Sequence, residues 1–178
     1  MSFPEFKKNY FQLFDQSPAV DLDLKRLGEQ FRQLQQQLHP DRYAGKSAQE
    51  QRLAVQYSAL VNQAYSTLRH PLSRALYLLE LKGMSPEEIS RQKVDGGFLM
   101  EQMELREKLE GIGSMVDPET VLDHLITEIN TDIGNHLVEF STAYEMADLE
   151  AAAAACVKMQ YLEKFLQQAE AIESGWLD

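Results

Sequence analysis

His39 and Asp41 place an imidazole and a carboxylate two residues apart, a pair that general acid–base chemistry could use. Such a pair acts catalytically only inside a cleft that tunes its pKa values and excludes water. The flanking sequence points elsewhere. Upstream, Leu24, Leu27, Phe31, Leu34 and Leu38 recur at helical spacing. Downstream, Ser47-Ala48-Gln49-Glu50 has the form of a capping box, and it opens a second helix whose stripe is Leu53, Tyr57, Leu60, Ala64 and Leu68. Pro40 cannot continue the first helix and biases His39 towards an extended conformation. His39-Pro40-Asp41 is therefore expected at the exposed tip of a helical hairpin, as a contact site on a rigid support. A Pro-Asp step is also an ordinary helix stop, so the tripeptide by itself assigns no function.

Other chemistry-bearing residues are sparse. One cysteine, Cys156, excludes an internal disulfide, and its place in an alanine-rich run reads as a small buried thiol. Four scattered histidines and that thiol make no metal or cluster ligand set. No Gly-rich phosphate loop is present. The expectation is a protein that is not an enzyme, with no cofactor, no metal and no catalytic residues.

The 178 residues suffice for one domain or two small ones. Period-2 stretches are lacking, so the fold class is read as all-α. The longest apolar run, near Leu76-Tyr77-Leu78-Leu79, falls far short of the roughly 18 residues that a membrane span needs. Glu5 and Asp15 near the start, with no apolar run, do not fit a signal peptide. A cytoplasmic protein is expected. Charge divides the chain: residues 1–82 carry 11 Lys/Arg against 8 Asp/Glu, while residues 83–178 carry 6 against 20. A net of +3 beside a net of −14 suggests two modules with different partners. The acidic half lacks the clustered cations that nucleic acid requires.

Leu81-Lys82-Gly83 reads as a helix C-cap with Pro86 soon after, which sets the module boundary. The division expected is 1–82, a connector over 83–97 with one helical turn from Pro86, and 98–178. Three helical patterns fill the last part. They run from Phe98 to Leu109, from Asp117-Pro118-Glu119 through Phe140, and from Asp148 to about Ile172. Short loops favour an antiparallel three-helix bundle. At about 100° per residue, Phe98, Leu105, Leu109 and Ile112 share one narrow sector, while Leu99, Met100 and Met103 lie nearly opposite, beside Glu104 and Glu107. An apolar, Met-rich patch opposite a complete core stripe fits a protein-binding surface.

Several of these features together resemble the J-domain of the DnaJ co-chaperone family. They are the short apolar segment Tyr10-Phe11-Gln12-Leu13-Phe14, the second helix, His39-Pro40-Asp41, the long third helix, and Arg74 with Tyr77 as an Arg-x-x-Tyr step. Phe98-Leu99-Met100-Glu101-Gln102-Met103-Glu104-Leu105-Arg106-Glu107 is similar to the signature of the HscB family, J-type co-chaperones of iron–sulfur cluster assembly. That resemblance implies an N-terminal J-domain hairpin and a C-terminal three-helix domain that binds the scaffold protein IscU. It also implies a DnaK-type ATPase chaperone, HscA, as the second partner. By the same resemblance the chaperone contact would use His39, Pro40 and Asp41, with Lys25, Arg26, Arg32 and Arg42 as the basic surface. The scaffold contact would use Leu99, Met100, Met103, Glu104 and Glu107, with Tyr161 as the aromatic of the last helix, its hydroxyl needing a partner if buried. Gln35-Gln36-Gln37 stand where many J-domains carry Lys or Arg. Two other readings fit the same residues: a J-domain protein serving a different client, and a helical binding module unrelated to chaperones.

Overall fold

The computed structural model of the chain describes residues 8–177, and among them there are helices and turns but no strand. The elements are α1 (Tyr10–Leu13), α2 (Leu24–Gln37), a 3-10 turn (Pro40–Arg42), α3 (Ala48–Arg69), α4 (Pro71–Leu81), α5 (Pro86–Ser90), α6 (Gly96–Gly111), a second 3-10 turn (Ile112–Ser114), α7 (Pro118–Glu145) and α8 (Leu149–Leu177). The all-α expectation holds. The chain divides into two compact units between Leu78 and Leu79, inside α4.

In the first unit, α1 and α2 both pack on α3. The buried face of α3 is Ala54, Tyr57, Val61, Ala64 and Leu68. Leu53 and Leu60, expected in that stripe, are only half-buried. Both sets share three residues, and the face that wins carries the smaller side chains, which let α1 and α2 approach closely. Leu24 also departs from expectation: at the first turn of α2 it is 48% exposed. Phe31 and Tyr65 join α2 to α3 by stacking at 3.9 Å between ring centroids. Tyr10 stacks on Tyr77 at 4.4 Å, and its N–H donates to the Tyr77 hydroxyl at 3.0 Å.

Arg74 and Tyr77 are thus internal ties of this unit. Arg74 is buried, at 6% exposed. Its Nε donates to the Val20 carbonyl at 2.9 Å and its Nη1 to the Leu68 carbonyl at 2.6 Å. Leu68 lies in the last turn of α3, whose final carbonyls have no intrahelical donor. Burial draws the Arg74 pKa below the usual arginine range, yet the side chain stays cationic.

In the second unit, α4 closes in a Schellman turn. Gly83 has φ +93°, the Met84 N–H donates to the Leu79 carbonyl at 3.1 Å, and the Gly83 N–H donates to the Glu80 carbonyl at 2.9 Å. The stretch read as a connector holds α5, opened by a Ser85/Glu88 capping box. Helices α6, α7 and α8 close around Phe98, Leu105, Leu122, Ile129, Leu162 and Phe165. Ala152, Ala153 and Ala155 are buried and allow α7 and α8 to pack over much of their length. Between them Ala147 takes φ +60° in a second Schellman turn, where glycine is the usual occupant. Cys156 is fully buried and its thiol is pushed up to about 12, which makes it inert packing.

Arg74→Ala would leave two carbonyls without donors. At about 1.5–3 kcal/mol for a hydrogen bond to a charged group, we expect the first unit to lose on the order of 3 kcal/mol, measured by urea unfolding. A loss below about 0.5 kcal/mol, the range of ordinary surface changes, would contradict this role.

Candidate functional site

The tip of the α2–α3 hairpin forms where expected, though as a 3-10 turn and not an open loop. Leu38 ends α2, and His39 is extended at φ −56°, ψ 134°. His39 Nδ1 accepts from the Asp41 N–H at 3.4 Å and lies 3.5 Å from Asp41 Oδ2. Both contacts fold the ring back over the turn. Side-chain exposures of 59% for His39 and 90% for Asp41 leave no water-excluding cleft, so the geometry suits binding and not proton transfer. Beside the tip a groove of about 570 Å³ runs along α3, lined by Leu38, Pro40, Tyr43, Ala54, Val55 and Ala59 among others.

The basic residues are all exposed. Lys25 and Arg32 lie two turns apart on the outward side of α2, opposite Leu27. Arg42 belongs to the 3-10 turn itself. Arg26 is partly drawn aside, with its guanidinium donating to the Asp15 carbonyl at 3.3 Å.

The second candidate surface lies on α6. Asp95 opens this helix by accepting the Phe98 N–H at 2.9 Å, and Lys158 of α8 holds the same carboxylate at 3.0 Å. Those two interactions, the amide first, hold the Asp95 carboxyl at about 2. Gly97 matters here: a Cβ on it would stand 3.2 Å from Asp95 Oδ1. The cap fixes the rotation of α6, so that Phe98, Gln102, Leu105 and Leu109 are buried. Leu99, Met100 and Met103 remain 47%, 65% and 66% exposed, with Glu104 and Glu107 exposed beside them.

Tyr161 is 42% exposed, so its hydroxyl does not need the buried partner considered from the sequence. Its ring packs edge-on against Phe98 at 6.3 Å, and Lys164 Nζ sits 5.5 Å from its centroid. This places an aromatic next to the α6 surface. Sequence reasoning missed Gln102, a polar residue inside the core stripe; its i+4 spacing from Phe98 was the available signal. It also missed the chain of charges that links Asp95, Lys158, Glu139 and His136. Among the described residues no group of three or more His, Cys, Asp or Glu is arranged to hold a metal ion, and no helix is long and apolar enough to cross a membrane.

An all-helical chain with a polar tripeptide on a hairpin tip and an apolar patch on a separate bundle has the form of a protein with two binding surfaces. Residues 94–170 match the family model described as the HSCB C-terminal oligomerisation domain. A co-chaperone protein HscB homolog from Shewanella loihica is 42% identical over 94% of this chain and 98% of its own. The solved chaperone HscB from Vibrio cholerae shares 37% identity, with a TM-score of 0.84 over 94% of this chain and 99% of that one. The crystal structure of human co-chaperone protein HscB shares 31%, with a TM-score of 0.86 over 96% of this chain and 84% of that one. The chain belongs to the HscB family of co-chaperones.

Two measurements test the α6 geometry. Replacing Leu99, Met100 and Met103 together by alanine should cost under about 1 kcal/mol, as exposed changes do, whereas Leu105→Ala should cost about 2–5 kcal/mol. Equal melting losses would place the patch in the core. Asp95, with a depressed carboxyl pKa, contributes stability above its ordinary value of 3.8 and loses that contribution as pH falls towards about 2. Asp95→Asn, which can still cap but does not ionise, should melt below the native chain at pH 5, and the gap should close towards pH 2. A gap unchanged across that range would show that the carboxylate charge contributes nothing.

Proposed function

We propose that the protein is a J-type co-chaperone of iron–sulfur cluster assembly. In this reading it binds the scaffold protein IscU and delivers it to the DnaK-type chaperone HscA, whose ATP hydrolysis it stimulates. The observation that carries the reading is the separation of two exposed surfaces on two compact units, within a chain of the HscB family. Residues 1–82 act as the J-domain. His39, Pro40 and Asp41 make the chaperone contact, and Lys25, Arg26, Arg32 and Arg42 steer the encounter. Residues 98–178 act as the scaffold-binding domain, through Leu99, Met100, Met103, Glu104, Glu107 and Tyr161, with residues 83–97 between.

The mechanism is linkage and tethering. Binding at the tip favours the chaperone conformation primed for hydrolysis, by the difference in affinity between its two states. A scaffold held on the same polypeptide reaches the chaperone at a raised effective concentration. The chain makes and breaks no bonds, and the nucleotide belongs to HscA. The cycle runs in the cytoplasm. The exposed Met-rich face favours the scaffold over an unrelated client, because flexible thioethers beside carboxylates suit one protein surface with matching apolar and basic groups.

His39→Gln and Asp41→Asn should each abolish stimulation of HscA in single-turnover ATP hydrolysis. Melting should stay within about 0.5 kcal/mol of the native chain, as exposed turn changes do, and IscU affinity should be unchanged. The triple alanine variant at Leu99, Met100 and Met103 should bind IscU at least about a hundredfold more weakly, roughly 2.8 kcal/mol, by calorimetric titration. Normal stimulation by both tip variants would remove the J-domain reading, and normal IscU binding by the folded triple variant would remove the scaffold reading of this face.

A further inference from the structure

Between α6 and α7 lies a cleft of about 400 Å³ with an unusual lining. Its floor is apolar, with Phe98, Leu105, Ile129 and Leu162. Its walls carry Glu101, Glu104, Glu128, Asp132 and Glu139 against one lysine, Lys108, and one histidine, His136. The internal pairings use only part of this charge. Lys108 Nζ reaches Glu128 at 3.7 Å, and His136 Nδ1 lies 2.8 Å from Glu139. No cation of the described residues lies within ion-pair distance of Glu101, Glu104 or the half-buried Asp132.

A second and independent observation concerns Gln102. This side chain lines the same cleft, is 9% exposed, and its Oε1 has no hydrogen-bond partner. An orphaned buried acceptor costs about 1–3 kcal/mol, so a chain that keeps a carboxamide inside its core stripe has a donor to gain. Oε1 is itself shielded from solvent, and the roughly two-fold last torsion of glutamine allows the amide to turn over and present it to the cleft.

We propose that this cleft receives one arginine side chain of the protein that docks on the adjoining Leu99, Met100 and Met103 face. Glu104 belongs to both surfaces, so a partner seated on the patch is already at the cleft mouth. A cationic ligand fits, because Glu101, Glu104 and Asp132 have no ion-pair partner among the described residues. It must also donate hydrogen bonds, because Gln102 Oε1 lacks a donor. A guanidinium fits better than an ammonium: it is planar and weakly hydrated, it lies against an aromatic or aliphatic floor, and its several N–H groups can serve Asp132 and Gln102 together. A metal ion is not favoured, since no three carboxylate, imidazole or thiol ligands converge here among the described residues. The identity of the docking protein rests on the scaffold reading given above.

The test uses the full chain labelled with 15N and a probe that stands for the side chain alone. N-acetyl-argininamide should produce saturable shifts at the Gln102 side-chain amide and at the backbone amides of Ile129 and Asp132. N-acetyl-citrullinamide, its neutral isostere, should not. Asp132→Asn should weaken the arginine response at least about fivefold, the scale of losing one charge partner, and Gln102→Leu should abolish the localised part. IscU should displace the probe, and Asp132→Asn should bind IscU at least about fivefold more weakly. The proposal is overturned if argininamide gives no shifts at those positions, if citrullinamide matches it, if Asp132→Asn leaves the response unchanged, or if bound IscU leaves the probe in place. If IscU does not bind the native chain at all, the scaffold reading fails, and the argininamide titration still decides whether the cleft is an arginine site.

Discussion

A helix begins with amides that have no partner inside it, and in this chain that shortage sets the position of nearly every element. Asn9, Asp23, Ser47, Ser85, Asp95, Asp117 and Asp148 each accept an amide from the first turn that follows. Helix α4 starts on Pro71, which has no amide to satisfy. A cap fixes where a helix starts, and hence its rotation. At about 100° per residue, one step of register would carry Leu99 towards the core and Phe98 away from it. The exposed faces at the hairpin tip and on α6 are consequences of these polar contacts as much as of apolar packing.

On the proposed reading the two partner surfaces lie on different compact units, so that each contact can be strong without disturbing the other. The charge asymmetry follows the same division, with a basic first part and an acidic second. Exposed charges act within about 8–10 Å near physiological salt, so each unit presents its own field to an approaching protein. The basic surface of α2 is modest, because Gln35, Gln36 and Gln37 occupy its last turn. In the proposed chaperone contact, the groove beside Pro40 and Tyr43 would offer apolar surface in compensation.

Much of this was legible in the sequence because it rests on local rules. The stop at Pro40, the capping box at Ser47, the N-cap at Asp117 with Pro118 and the opposed faces of α6 all follow from residue chemistry and the helical period. What escaped depends on neighbours far away in the chain. Ala54 and Val61 win burial over Leu53 and Leu60 only because α1 and α2 close on the smaller residues. Gln102 reads as a surface residue until the core stripe is seen to pass through it. Tyr161 could be set beside the α6 face only by resemblance to a family, and it is the burial of Phe98 that leaves the tyrosine ring at the rim. Leu24 has apolar character and the right spacing, but at 48% exposure the first turn of α2 leaves it largely in solvent.

The central claim is that one polypeptide joins a scaffold to a chaperone, and complementation in trans tests it most directly. A chain carrying His39→Gln retains only the scaffold surface, and one carrying the triple alanine change on α6 retains only the tip. Each variant alone, and then an equal mixture of the two, would be measured for IscU-dependent ATP turnover by HscA against the native chain. Tethering predicts that the mixture stays at the level of the triple variant alone and never regains the response to IscU. Recovery of the native response by the mixture would show that the two surfaces need not share a chain, and would contradict this account.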